Sequence, residues 1–191
     1  MNIEKEIKIV LTEDEYHVVN TIFKWDNEYE QINHYYGSSD DIRMKTNTYR
    51  VREKEGKVKL QLKIPEKYEG SLHIKNEYEK EILVIPDVLR KEELEEMTGL
   101  LFLEDKSYIG KLVTWRKQCL QYKGIEICLD KNEYLNKIDY EIEIEYKDDY
   151  PRGVIDILES YGIKTDAFVE GKNKRYLKEM IRVRELKENG T

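Results

Sequence analysis

The sequence predicts an α+β fold in which about eight β-strands carry one ionic and one apolar face, with helices packed over the apolar side. Three observations predict it. Several stretches alternate with period two, as in Glu4, Glu6 and Lys8 against Ile7, Ile9 and Leu11. Successive side chains of a strand leave opposite faces, so each such stretch must bury one row and either wet or enclose the other. The charges on the ionic rows are also sorted by strand, some acidic and some basic. Between the strands lie stretches with helical spacing and helix start and stop residues.

The first strand is read as Asn2–Leu11. Thr12 and Glu15 then have capping-box spacing, and Tyr16, Val19, Ile22 and Phe23 follow at helical intervals, so a helix is expected over Glu13–Trp25. Glu30–Tyr36 reads as a strand ended by the turn cluster Gly37-Ser38-Ser39-Asp40-Asp41. Asn47–Glu53 sets Arg50 and Arg52 against Tyr49 and Val51, and Lys54–Lys57 turns the chain into Val58–Ile64. There Lys59, Gln61 and Lys63 face away from Leu60, Leu62 and Ile64. Pro65–Gly70 is expected to be a loop, and Ile74–Leu83 a strand with Glu77, Glu79 and Glu81 on one face.

Pro86 opens a second expected helix, Asp87–Met97, stopped by Gly99. Lys111–Tyr122 and Ile125–Leu129 read as a hairpin around Lys123-Gly124, a register that sets Cys119 opposite Cys128 as reduced neighbours. Ile138–Tyr146 repeats the opening pattern with Glu141, Glu143 and Glu145. Pro151 starts a helix that stops at Gly162, with Val154, Ile155 and Leu158 as its apolar stripe. A last helix is expected over Asn173–Leu186, with Lys187–Thr191 frayed.

With 191 residues, the chain suits one domain, 1–191, with a single core. Its net charge of -7 argues against broad nucleic-acid or anionic-membrane binding. No apolar run is long enough to span a bilayer. Met1 opens directly into a charged strand, and there are two cysteines, so a cytoplasmic, reduced protein is expected. His17, His34 and His73 are too scattered for a zinc site.

Strands with one ionic face admit two architectures. An open sheet would show its charges to water, whereas a closed eight-stranded barrel would enclose them around a lumen with room for one small ligand. Sorting favours the barrel: Glu4/Glu6, Glu77/Glu79/Glu81 and Glu141/Glu143/Glu145 are acidic rows, and Arg50/Arg52 and Lys59/Lys63 are basic ones. Carboxylates without His or Cys suit Mg²⁺ or Mn²⁺, and Arg and Lys suit phosphate oxygens. Together they would accept a metal–polyphosphate complex. Glu145, Glu81 and Lys59 are read as rim or surface charges, and Lys174 as a solvated helix residue.

Glu4-x-Glu6-x-Lys8 resembles the signature of the CYTH superfamily, the triphosphate tunnel metalloenzymes. Arg50-Val51-Arg52 is similar to that family's Arg-x-Arg strand and Gln61-Leu62-Lys63 to its Thr-Leu-Lys strand. Leu129-Asp130, Tyr134-Leu135-Asn136 and Asp139–Glu143 resemble its late acidic region, and Lys172–Tyr176 its C-terminal Lys-x-x-Arg-aromatic element. Nearly the whole chain is covered, and the short bacterial branch resembles it best.

The resemblance implies an eight-stranded antiparallel closed β-barrel, or tunnel, with helices packed outside. It also implies hydrolysis of inorganic or small organic triphosphate, or, in one branch, cyclisation of ATP to cyclic AMP and pyrophosphate. A non-catalytic polyphosphate or nucleotide sensor is the third reading. Carried over by position, Glu4, Glu6, Asp130, Glu141 and Glu143 would hold Mg²⁺ or Mn²⁺. Lys8, Arg50, Arg52, Lys63, Arg116, Lys172 and Arg175 would hold the triphosphate, with Lys8 and Glu79 as catalytic candidates. The partner implied is a small-molecule triphosphate, not nucleic acid or membrane; a homodimer is allowed. Lys75 stands where the family carries arginine, Ser38 stands where an acid usually follows the aromatic pair, and Tyr49 replaces an aliphatic residue.

Overall fold

The computed structural model describes residues 2–38, 41 and 47–189. The alternating stretches form strands β1 (Asn2–Leu11), β2 (Asn27–Gly37), β3 (Thr48–Lys54), β4 (Lys57–Glu69) and β5 (Leu72–Ile82). They are followed by β6 (Val88–Leu89), β7 (Lys106–Cys119), β8 (Ile125–Tyr134) and β9 (Lys137–Tyr146). The helices are α1 (Glu13–Ile22), α2 (Lys91–Thr98), α3 (Arg152–Ser160) and α4 (Lys172–Asn189). Neighbouring strands run in the order β2-β3-β4-β5-β1-β9-β8-β7, and β7 pairs back onto β2, so eight antiparallel strands close a barrel. The two-residue β6 adds only an edge to β7. Closure leaves the barrel strands no exposed edge in the sheet.

The apolar rows point outward, where helices cover them. Ile7, Ile9, Ile127, Leu129, Ile142 and Ile144 pack with Val19 and Phe23 near α1 and with Val154, Ile155 and Leu158 of α3. Val51, Leu60 and Leu62 pack with Leu94 of α2. Thr12 caps α1 as its spacing predicts: its hydroxyl accepts from Glu15 N at 3.2 Å, and the Glu15 carboxylate accepts from Thr12 N at 2.7 Å.

Helix α4 crosses one end of the barrel. Its first turn sends Lys172 inside, and the Asn173 side chain donates to Asn47 O at 3.3 Å. The Lys174 ammonium sits 5.0 Å from the centre of the Tyr68 ring. Further along, Tyr176 lies against Gly110 of β7, where a Cβ would overlap its hydroxyl; Gly110 has φ +140, a conformation that other residues resist. At the opposite end the barrel opens between the β3–β4 hairpin and the ends of β1 and β9.

Several expectations need correction. Pro65–Gly70 is not a loop: β4 continues to Glu69, and the register shift between Pro65 and Lys67 lets proline sit where no ladder hydrogen bond is needed. The helix expected from Asp87 starts at Lys91, because Val88 and Leu89 pair with Ser107 and Lys106 first. Helix α1 stops at Ile22, and Trp25 instead donates to Asn20 O at 3.0 Å. The final helix runs through residues read as frayed and reaches Asn189. Ser38 and Asp41 of the turn cluster are hydrogen-bonded at 2.7 Å, whereas Ser39 and Asp40 lie outside the described residues.

Cys119 does not face Cys128. Residues 120–124 form a five-residue connection, so Cys128 pairs with Gln118 and Cys119 with Ile127. A one-residue slip flips a side chain to the other face. Cys119 thus lies in the outer core, and Cys128 lies beside Glu126 at 3.3 Å, both as free thiols.

Candidate functional site

The ionic rows converge inside the barrel on a cavity of ≈ 270 Å³. Nine ammonium or guanidinium groups and six carboxylates line it, an excess of positive charge in a chain of net charge -7. That local reversal of sign favours an anionic ligand.

Two sets of three carboxylates stand in the lumen. Glu4 and Glu6 come from β1 and Glu145 from β9, where Glu6 and Glu145 are directly paired. Asp130 comes from β8 and Glu141 and Glu143 from β9, with Asp130 and Glu141 paired. In each set, one oxygen from every residue lies within 4.8 Å of the others.

The second set is neutralised from all sides. Arg116 makes a two-pronged contact with Asp130 at 2.8 and 2.6 Å and also bonds Glu143. Lys172 reaches Asp130 at 2.7 Å, Glu143 at 2.9 Å and Glu141. Arg175 bonds Glu141 at 2.6 Å and Asp139 at 3.0 Å. Lys8 bonds Glu143 and lies 3.3 Å from Glu6 and 3.9 Å from Glu141. Burial alone would raise these carboxyls, but Arg116 and Lys172 hold Asp130 below its ordinary range, and Lys8 and Arg116 do the same for Glu143.

The first set is less evenly served. Lys63 reaches both oxygens of Glu4 at 2.5 and 2.6 Å, and Lys75 bonds Glu6. Burial works against ionisation of Glu6, yet Lys75, Lys8 and Lys63 keep it well below the usual carboxylate range. Glu145 has the opposite fate: burial and the neighbouring Glu4 push it up to about 7.

The cationic wall retains donors. Arg50 spends its Nε on Gln61 Oε1 at 2.8 Å, and its Nη2 lies 3.9 Å from Glu77 with no hydrogen bond among the described residues. Arg52 donates through Nε to Asn33 Oδ1 at 3.1 Å. Burial, with Arg50 and Arg116 nearby, brings its guanidinium down to about 10.

Of the residues singled out in the sequence, Glu4, Glu6, Lys8, Arg50, Arg52, Lys63, Arg116, Glu143 and Lys172 line this cavity. Asp130, Glu141 and Arg175 stand behind it, hydrogen-bonded to its lining. Glu79 is not brought in: it sits at the open mouth, half-exposed, bonded to Lys59 at 2.9 Å and to Gln61 at 3.1 Å.

Glu145, read as a rim charge, lies inside, and Lys174, read as solvated, lines the helix-closed end. Glu77, Lys75 and Tyr35 were also not assigned to the site. Alternation alone put Glu145 on the ionic face. Only the strand register shows that it stands opposite Glu6.

The donor sets fit a hard divalent cation, because each offers three carboxylates and no sulfur or imidazole. Glu4, Glu6 and Glu145 fit better, since their mutual repulsion is the less compensated.

The sequence matches the CYTH domain over residues 2–175. A protein of Bacillus subtilis (strain 168) named "Putative triphosphatase YjbK" is 31% identical over 152 residues, 76% of this chain and 78% of its own length. The fold is shared with a Hippeastrum protein, HpAC1, described as a "putative adenylyl cyclase" with dominant triphosphatase activity. The likeness has a TM-score of 0.68 at 20% identity, over 88% of this chain and 92% of that one. A Bacillus halodurans structure described as a "putative adenylate cyclase" matches with a TM-score of 0.64 at 22% identity, over 92% and 99% of the two chains. The closed barrel, its ionic lumen and the match along most of its length lead to one assignment: the chain belongs to the CYTH domain family.

Proposed function

We propose that this chain is a divalent-metal-dependent triphosphatase that holds inorganic or a small organic triphosphate inside its barrel. The observation that carries the reading is the pairing, in one cavity of the barrel, of a basic wall with spare guanidinium donors and a facing set of carboxylates. The name of the 31% identical relative supports the same class of reaction.

Glu4, Glu6 and Glu145 would hold Mg²⁺ or Mn²⁺, with Asp130, Glu141 and Glu143 as the alternative set. When bound, the ion supplies positive charge at the phosphoryl oxygens. The remaining work belongs to the chain. Phosphoryl transfer asks mainly for positioning and charge stabilisation. Arg50 and Arg52 present planar guanidinium forks that match phosphate oxygens two at a time. Lys8 is held by Glu143 and Glu6, so its ammonium has little freedom to leave the lumen. Enclosure in the barrel lowers the local dielectric and strengthens each of these interactions on developing charge.

The mouth mixes charged side chains with Ile3, Leu120, Tyr122, Ile125 and Tyr146 on one side, and among the described residues it forms an open, half-polar surface and no enclosed apolar pocket for a base. We therefore expect kcat/KM for inorganic triphosphate to exceed that for ATP by at least about tenfold, roughly 1.4 kcal/mol of transition-state stabilisation. The test is product analysis with each substrate in Mg²⁺ and in Mn²⁺. Phosphate, with ADP from ATP, is the expected outcome. Cyclic AMP and pyrophosphate as main products would install the cyclase reading instead. Tight binding without turnover would leave a sensor.

A further inference from the structure

Four buried donors on β2 and β3, Gln31 Nε2, Asn33 Nδ2, the Tyr35 hydroxyl and Arg50 Nη2, have no hydrogen-bond partner among the described residues. Tyr35 of β2 and Arg50 of β3 are register partners, and both are buried. The Tyr35 hydroxyl and the Arg50 Nη2 are each buried with no hydrogen-bond acceptor among the described residues. Buried donors left unmatched are costly and rare, so two on register partners that both line the cavity point to an acceptor from outside the chain.

The surroundings define that acceptor. Tyr35 feels the positive charges of Arg50, Arg52, Arg175 and Lys8, while burial outweighs them and keeps the phenol protonated at neutral pH, hence a donor. Its ring is fixed against Tyr176 of α4, with centroids 5.1 Å apart, and beside Leu112 and Tyr134. The hydroxyl is therefore aimed by packing and does not swing freely.

The place in the barrel adds a second constraint. Gly171, Lys172, Asn173 and Lys174 line the cavity at the end that α4 crosses. The first turn of α4 is tied to Asn47 before β3, to Tyr68 of β4, and to β8 and β9 through Lys172. A ligand entering from the open mouth thus meets Tyr35 and Lys172 at the far end of its path.

We propose that the Tyr35 hydroxyl, with Arg50 Nη2, hydrogen-bonds the oxygens of a terminal phosphoryl group. The ligand is then held end-on, and it must have a free phosphoryl terminus. The inference rests on the triphosphate reading and narrows its substrate class to linear polyphosphates and phosphate chains capped at one end only. Rings and doubly capped chains are excluded. No covalent step is assigned to Tyr35, which is a positioning residue.

Calorimetric binding to the intact chain tests this, with linear tripolyphosphate, cyclic trimetaphosphate and cyclic tetrametaphosphate as probes. The smaller ring controls for size and the larger for charge, and neither has an end. The wild type should bind the linear chain at least about a hundredfold more tightly than either ring. Tyr35→Phe keeps the ring packing, so it should melt like the wild type. It should bind tripolyphosphate about tenfold more weakly, a change of roughly 1.4 kcal/mol. Either ring binding within threefold of the linear chain overturns end-on recognition, and unchanged affinity in Tyr35→Phe overturns the role of the hydroxyl. Failure of the wild type to bind tripolyphosphate at all would instead remove the triphosphate reading, and this inference with it.

Discussion

The two carboxylate sets of the lumen are built from the same kinds of residue on adjacent strands, yet the protein treats them differently. Asp130, Glu141 and Glu143 are enclosed by Arg116, Lys172, Arg175 and Lys8, and each is ion-paired within the fold. Glu4 and Glu6 have Lys63 and Lys75, but no ammonium or guanidinium among the described residues is hydrogen-bonded to Glu145. A buried charge network tolerates no missing member, because removal of one partner strands another. We therefore expect the more fully paired set to carry more of the barrel's stability, and the set that contains Glu145 to be the one open to an ion from solution. Variants on the two sides should separate these roles.

The largest effect is expected on turnover from the first set. Glu4→Gln or Glu6→Gln should lower metal-dependent hydrolysis by at least about a hundredfold, more than is typical when a mere supporting contact is lost. Melting should show the fold intact. Normal turnover at limiting metal in either variant would erase the distinction.

Next comes Arg116→Ala in the second set. It leaves Asp130 and Glu143 without their guanidinium, and denaturant titration should show a loss of about 3–5 kcal/mol. A loss below about 1 kcal/mol would mean that Lys172 and Lys8 alone suffice, and the second set would lose its structural character.

The smallest effect is a change of slope with pH. Folding raises Glu145 from 4.5 to about 7, so the folded state holds that proton more tightly than the unfolded chain. Between these values stability falls as pH rises, and above the upper one the loss is complete. Glu145→Gln should flatten the metal-free stability profile in that window and, above it, stand roughly 3 kcal/mol above the wild type. Parallel profiles for the two proteins would show that Glu145 is already compensated.

The contrast also marks what the sequence could reveal. Period-two alternation placed Glu4, Glu6, Lys8, Arg50 and Arg52 on one face, and that face is the lumen. Family resemblance added Asp130, Lys172 and Arg175, whose roles no local pattern carries. What stayed hidden depends on pairs distant in sequence. Glu145 differs from Glu143 through what it meets in space: Glu6 and not Lys8 across the strand, with Arg116 and Lys172 reaching Glu143. The hydroxyl of Tyr35 is buried because β2 closes on β7 and α4 covers it, neither of which a period shows. Glu79 shares the alternation of Glu77, yet two residues along a strand is enough to move it from the cavity to the mouth. The cysteine register failed on the length of one connection, since period-two structures turn a single-residue error into the wrong face.

The helix that crosses the barrel end has a consequence for how the protein is made. Helix α4 follows every barrel strand in sequence, so during synthesis its cations emerge after all of them. Until Lys172 and Arg175 arrive, Asp130, Glu141 and Glu143 have only Lys8 and Arg116 to balance them. The nascent sheet then holds a surplus of buried negative charge, which opposes its own closure. Completion of the lumen thus waits for α4, and a chain cut short before Lys172 is expected to be cleaved faster by added protease than the chain that carries it.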